Sequence, residues 1–242
     1  MKALVFAGAS ALALLVAAPA SATLQVSLTD GTNVFTCHDG QLGCDLSGGA
    51  NNVLLVDTTV GGFFVQIALA LSTFGAHNVL QLSSSNIQNL GGTEGVLTFG
   101  ASDTNFIGPV NSILESASLT FNSNVGAGPS TLKFFADPAN VQGANPLNTP
   151  GVLLDTVSGS PASDPDSFSG TKLSSFFAPG LFSMTEGASV DLLAGGSITG
   201  FDQSMTTSSV VPETSTWVML GLGFAAMTMV GVRRNKTARL AV

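Results

Sequence analysis

Apolar and polar residues alternate along the first part of the chain that follows its N-terminal segment. Leu24, Val26 and Leu28 are separated by single polar residues. This period of two is typical of a β-strand with one face in a core and the other in water. No long stretch of the central sequence has helical periodicity. The pattern therefore predicts a β-rich domain.

Nine further apolar runs are predicted strands because they are short and rich in Val, Leu, Ile and Phe. They are Val53 to Val60, Phe63 to Leu71, Val79 to Leu82, Val96 to Phe99, Ile113 to Phe121, Leu132 to Phe135, Val152 to Val157, Phe182 to Thr185 and Ile198 to Phe201. Gly61-Gly62 joins the first two at hairpin distance, since glycine reaches the positive φ angles of tight turns. The segment from Asp137 to Pro165 holds five prolines and is predicted to be mostly loop, with one strand near Val152.

Many short strands in one stretch of chain favour an all-β fold, here an antiparallel β-sandwich. Two smaller β units divided near the proline-rich segment are the alternative. We predict that this β-rich domain spans residues 23–210. An N-terminal signal helix would precede it, and a single C-terminal hydrophobic helix would follow it.

The first residues have the features of a secretory signal. A lysine precedes the apolar run Ala3 to Ala18, and small residues at positions 20–22 suit signal peptidase. The run is shorter than the roughly 20 residues that a membrane-spanning helix needs. We therefore predict a cleaved signal peptide over residues 1–22, with Ala22 and Thr23 on either side of the scissile bond. A retained membrane anchor is the alternative.

Charge is distributed very unevenly along the chain. The segment from Thr23 to Val211 contains fourteen acidic residues and only two lysines, a net charge of −12. Such a surface repels phosphate backbones, so nucleic acid is not a predicted partner. It favours solubility outside the cell and is compatible with weak recruitment of divalent cations through oxygen ligands.

The two cysteines, Cys37 and Cys44, are seven positions apart in a polar segment. Export would place them in an oxidising compartment, where disulfides persist, and we predict that they pair. The alternative is a metal site that also uses His38. Adjacent residues of an extended chain point in opposite directions, however, and the usual second pair of ligands is absent. No metal site and no cofactor are therefore predicted.

The C-terminal segment has three consecutive parts. Val211-Pro212-Glu213-Thr214 is polar and extended, Trp217 leads into the apolar run Val218 to Val232, and a basic cluster follows. Tryptophan is enriched at membrane interfaces, and basic residues remain on the cytoplasmic side. The basic cluster consists of Arg233, Arg234 and Lys236.

This three-part end, residues 211–236, resembles the PEP-CTERM sorting signal of Gram-negative bacteria. The resemblance implies that exosortase, a membrane-embedded cysteine transpeptidase, recognises Pro212-Glu213 and processes the chain nearby. Thr214 stands where that family usually has a second proline. The stretch Ser102 to Phe106 also resembles one that is common in the family's β-rich ectodomains. An ordinary C-terminal membrane anchor is the alternative, and both readings place the domain outside the cytoplasm.

Catalytic signatures are scarce in this sequence. His38 and His77 have no nucleophile motif nearby, and the sequence contains no G-x-S-x-G elbow, H-E-x-x-H metal helix or P-loop. Glu94, Glu115 and Glu186 could supply a glycosidase pair, because such carboxylates are defined by their separation in space. We expect them instead to be isolated groups on a solvated β face. No enzymatic activity is therefore predicted, and no catalytic residue is assigned.

These features predict an exported surface or extracellular matrix protein that is structural or associated with exopolysaccharide and biofilm. A calcium- or glycan-binding adhesin is the alternative, and a secreted hydrolase is the third hypothesis. The expected partners are signal peptidase and exosortase during export, and extracellular polysaccharide afterwards. The C-terminal helix would anchor the chain transiently in the inner membrane before processing releases it to the cell surface or medium.

Overall fold

The computed structural model describes residues 24–143, 145 and 149–208. The predicted signal helix, its cleavage site at Ala22 and Thr23, and the tail from Val211, including its motif, Trp217 and basic residues, lie outside these ranges. The described residues contain no α-helix. A search of this part of the chain accordingly finds no helix long and apolar enough to cross a membrane.

Twelve β-strands make up the described part of the chain. They are β1 (Gln25–Thr29), β2 (Val34–His38), β3 (Val53–Val60), β4 (Phe63–Thr73), β5 (Val79–Asn89), β6 (Gly95–Phe106), β7 (Val110–Asn122), β8 (Ser130–Asp137), β9 (Val152–Gly159), β10 (Asp166–Ala178), β11 (Phe182–Leu192) and β12 (Ser197–Ser208).

The strands form two antiparallel six-stranded sheets. Sheet A has the order β2-β1-β6-β11-β8-β9, and sheet B has the order β10-β7-β12-β5-β4-β3. Their inner faces share one cluster of buried apolar side chains drawn from both sheets. Phe99 of β6 meets Phe201 of β12 across this core in an edge-on contact, with 4.9 Å between ring centroids. The predicted all-β, antiparallel sandwich is confirmed, and the described residues form one unit rather than two.

Every predicted apolar run lies on a strand, but most strands extend beyond their run. The predicted hairpin of β3 and β4 is present, with Val60 opposite Phe63 and Gly61 at a φ of 56° in the turn. Two strands were not predicted, β2 and β10. Both are edge strands whose outer faces meet water, so their sequences lack a continuous apolar alternation.

The ends of the strands define two ends of the sandwich. At one end β12 finishes, with Ser208 opposite Ser112 of β7, and Ala178 of β10 lies opposite Val110. We call this the tail end, because β12, the last of the described strands, finishes there. The far end carries the β3–β4 turn and the β5–β6 turn, which meet where Leu90 N donates a hydrogen bond to Gly62 O.

Candidate functional site

A shallow depression lies on the outer face of sheet B, over strands β3, β4 and β5. Antiparallel pairing sets Asp57 of β3 directly opposite Gln66 of β4, so the two side chains share this face. The depression has a volume of about 300 Å³. Its lining residues are Leu46, Leu55, Val56, Asp57, Gln66, Ile67, Ala68 and Ser85.

The polar side chains of the depression are only partly satisfied by one another. Ser85 Oγ donates a hydrogen bond to Gln66 Oε1 at 2.8 Å, which fixes the orientation of the Gln66 amide. Among the described residues, neither the Gln66 Nε2 donor nor the Asp57 carboxylate has a hydrogen-bond partner. The depression therefore offers an acceptor and a donor side by side to a ligand from solvent.

The disulfide-bearing loop supplies the apolar rim of the depression. Cys37 is the penultimate residue of β2. It forms a disulfide with Cys44, and the two Cα atoms are 5.9 Å apart. Two residues after Cys44, Leu46 N donates a hydrogen bond to Leu55 O of β3 at 2.9 Å. The Leu46 side chain is 60% exposed. The covalent link and this hydrogen bond together hold an exposed apolar side chain beside Asp57.

The loop also contains an acidic side chain that is occupied internally. Asp45 accepts hydrogen bonds from Gly40 N at 2.9 Å and from Ser47 N at 2.8 Å. Ser47 Oγ donates to the same carboxylate at 3.0 Å. Asp45 thus stabilises the loop, whereas Asp57 remains available to a ligand.

The three glutamates considered from the sequence do not come together. Glu94 is exposed in the β5–β6 turn, Glu115 lies on β7 of sheet B, and Glu186 lies on β11 of sheet A. The expectation that Glu115 and Glu186 occupy a solvated face is wrong, because both are completely buried. A substrate cannot reach either carboxyl group in this structure.

Strand alternation explains why these two carboxyl groups are buried. Met184 and Ala188 flank Glu186 at two-residue spacing on the core-facing side of β11, and Ile113 and Ala117 do the same for Glu115 on β7. Because Glu186 occupies an apolar position of this alternation, the sequence pattern alone predicts that it is buried.

The interior around these glutamates is poorly supplied with hydrogen bonds. None of the four carboxyl oxygens has a hydrogen-bond partner, and neither does Gln203 Oε1. Gln203 Nε2 reaches Lys133 O at 3.4 Å. Ser174 Oγ, near Glu115, donates to Leu154 O at 3.2 Å. These groups are thus fixed in the core without good polar contacts.

Burial disfavours the charged form of each interior carboxyl group. It raises the pKa of Glu115 to about 7. The nearby Ser174 side chain lowers this pKa, but by less than burial raises it. Burial also raises the pKa of Glu186 well above its usual value, and the negative charge of Asp202 adds to the effect. The pKa of Asp103 rises to about 6 for the same reason, although Ser72 Oγ donates a hydrogen bond to its carboxylate.

The histidines and acidic residues that the structure describes do not form a recognisable reaction centre. His77 lies in the β4–β5 turn with its Nδ1 atom 3.2 Å from Thr207 O, and His38 ends β2. In residues 24–143, 145 and 149–208, no group of three or more His, Cys, Asp or Glu side chains is placed to hold a metal ion.

No protein-family model matches the chain, and no curated protein matches its sequence. The carbohydrate-binding module TmCBM61, solved with β-1,4-galactotriose, is 10% identical with a TM-score of 0.32, covering 57% of this chain and 86% of its own. The module CBM6cm-2 from Cellvibrio mixtus lichenase 5A, solved with cellotriose, is 13% identical with a TM-score of 0.21. The match covers 66% of this chain and 88% of that chain. The enzymatically active domain of tailspike protein 4 from bacteriophage CBA120 is 12% identical with a TM-score of 0.29, covering 63% of this chain and 19% of that one.

Proposed function

We propose that this chain is an exported, tail-sorted surface protein whose β-sandwich binds extracellular polysaccharide without acting on it. The observation that carries the proposal is the open depression where Asp57 and Gln66 present an unpaired acceptor and donor. Sugar hydroxyl groups act as both donors and acceptors, so they match this pair. The apolar side chains of Leu46 and Leu55 can contact the C–H groups of a sugar ring.

The expected affinity of one such site is low. Each neutral hydrogen bond contributes only about 0.5–1.5 kcal/mol after water is displaced, and the depression offers few of them. A single repeat unit would therefore bind with a Kd in roughly the millimolar range. A long polysaccharide meeting many copies on a surface would be retained much more strongly through multivalency.

Three features of the chain support export. The N-terminal apolar segment and the tail from Val211 to Lys236 together have the order expected for a secreted and then sorted protein. The acidic central segment suits an extracellular surface. The disulfide between Cys37 and Cys44 suits an oxidising compartment.

The export route predicts two processing events that intact mass spectrometry can read. Protein recovered from the native cell surface and medium should begin at Thr23 and lack the residues that follow the Pro212-Glu213 element. Deletion of residues 212–242 should leave the N-terminal cleavage intact and change the distribution between membrane, surface and medium. Unchanged sorting after this deletion would show that exosortase processing is not the route.

Polysaccharide binding is tested by affinity electrophoresis of the whole protein through gels that contain the host's extracellular polysaccharide. Loss of one or two hydrogen bonds in Asp57→Ala and Gln66→Ala should weaken retardation by about 3- to 10-fold. Glu94→Ala is the matched control, since it removes one exposed carboxylate at the far end without touching the depression. Equal retardation of all three variants and the parent protein would exclude the depression as the binding site.

A further inference from the structure

An exposed apolar patch lies at the tail end of the sandwich. Gly108 N donates a hydrogen bond to Gly180 O at 3.0 Å, which brings the β6–β7 and β10–β11 turns together. The turns carry Ile107 and Leu181, each 50% exposed, and Phe177 of β10 is 66% exposed nearby. Large apolar side chains clustered in this way indicate a surface that meets another apolar phase.

The patch continues onto the outer face of sheet B. Leu173 of β10 lies opposite Leu114 of β7, and both side chains are exposed. Leu173 and Phe177 are four residues apart on one strand and therefore share this face. We call Ile107, Leu114, Leu173, Phe177 and Leu181 the tail-end patch.

The segments that carry the tail-end patch and form this end of sheet B contain no acidic residue, in a domain that is otherwise strongly acidic. These segments are residues 73–82, 104–114, 173–185 and 203–208. Two acidic residues adjoin them on sheet B, the buried Glu115 of β7 and Asp202 on the outer face of β12. Asp155 of β9 also lies nearby, in a salt bridge with Lys172. An anionic lipid surface would repel exposed carboxylates. The absence of acidic residues from these segments makes this end the side of sheet B best suited to approach such a surface.

The position of the tail restricts which end of the sandwich can face a membrane. Residues 209–216, eight in number, separate the end of β12 from Trp217, where the apolar segment begins. Fully extended, they span at most about 29 Å. The thirteen residues of β10 span about 43 Å, so the far end lies beyond the reach of this tether when the tail is inserted.

From these observations we propose that the tail-end patch rests on the lipid surface of the membrane that the tail enters. This inference rests on the tail insertion that belongs to the proposed function. Phe177, Leu181 and Ile107 would enter the headgroup region, where apolar side chains gain from burial and polar backbone groups remain hydrated. The sandwich would then stand upright on the membrane, with the β3–β4 and β5–β6 turns directed away from it.

The test uses the full chain reconstituted by its tail into vesicles of phosphatidylethanolamine and phosphatidylglycerol. A single cysteine introduced by Ser175→Cys, between Leu173 and Phe177, is labelled with a fluorophore while the native disulfide stays oxidised. Ser169→Cys is the matched control, because Ser169 is exposed on the same face of β10, about 20 Å towards the far end. Lipids with a nitroxide in the headgroup then quench any fluorophore near the membrane surface.

We expect quenching at position 175 to exceed that at position 169 by at least about 3-fold. Phe177→Ser combined with Leu181→Ser should abolish the difference, whereas Leu90→Ser, which removes an exposed leucine at the far end, should preserve it. Equal quenching at both positions in vesicle-bound protein would overturn the docking proposal and leave tail insertion standing. Failure of the chain to remain with the vesicles would overturn both. Cross-linking between copies through position 175, without lipid quenching, would assign the patch to a second copy instead.

Discussion

The two faces of sheet B place carboxyl groups in opposite environments, one exposed to solvent and one buried. On the outer face, Asp57 is exposed beside Gln66 and has no partner within the described residues. On the inner face, Glu115 is completely buried and its pKa is raised to about 7 by that burial. The difference arises from the strand period of two, which decides whether a side chain meets water or the opposing sheet. An unpaired carboxylate serves recognition only where solvent can reach it.

The inner face carries a cost that the outer face does not. An unpaired polar group in the core loses its hydration and gains no hydrogen bond in exchange. Glu115 on the inner face of sheet B and Glu186 on the inner face of sheet A both meet this description. The outer carboxylate keeps its hydration until a ligand replaces it. Evidence that a buried carboxyl group stabilises the fold would therefore contradict this comparison.

The largest effect is expected at Glu186. Glu186→Met replaces the unpartnered carboxyl group with an apolar side chain of similar length, and should raise the free energy of unfolding at pH 7 by about 1–3 kcal/mol. Urea unfolding followed by circular dichroism measures the change. A lower unfolding free energy in the variant would mean that the buried carboxyl group has a stabilising polar partner.

A smaller, pH-dependent effect is expected at Glu115. Its pKa in the folded protein is about 7, against an ordinary value of 4.5, so the folded state binds more protons than the unfolded state between these values. Stability should therefore fall as the pH rises from about 4.5 to about 7 and become level above that range. Glu115→Gln removes this group's contribution, on the order of 1–3 kcal/mol across the window. Denaturant unfolding at a series of pH values measures the slope.

Asp57→Asn is the control for that slope. Because Asp57 lies on the outer face, its replacement should change the free energy of unfolding by less than about 0.5 kcal/mol and leave the pH dependence as in the parent protein. Asp103 and Glu186 retain their own contributions in both variants. If Glu115→Gln and Asp57→Asn gave the same slope, the contrast between the two faces of sheet B would be wrong.

The sequence was most informative where local chemistry dominates. Gly61-Gly62 between two β-rich runs was sufficient to predict the hairpin of β3 and β4, because both the turn and the strands are local features. The same reasoning missed β10, whose exposed Ser, Thr and Lys positions suit an edge strand held in place by β7. Strand alternation around Glu186 contained the evidence for its burial, but the carboxylate itself suggested a solvated position.

The candidate site could not be predicted in the same way. It depends on the registers between β3, β4 and β5, which set Asp57 opposite Gln66 and bring Ser85 within hydrogen-bonding distance of Gln66. It also depends on Leu46, which the disulfide loop places beside β3. These are contacts between segments distant in sequence, and residue spacing along one strand does not specify them.

The first and last strands make the two ends of the sandwich different, and this affects where a foreign peptide can be inserted into the domain. β1 begins at Gln25 opposite Ser102, towards the tail end, and β12 finishes at that same end. The β5–β6 turn at residues 90–94 lies at the opposite end, where neither terminal strand emerges. A peptide epitope inserted into this turn would therefore be presented at the far end of the sandwich, away from the start of β1 and the end of β12.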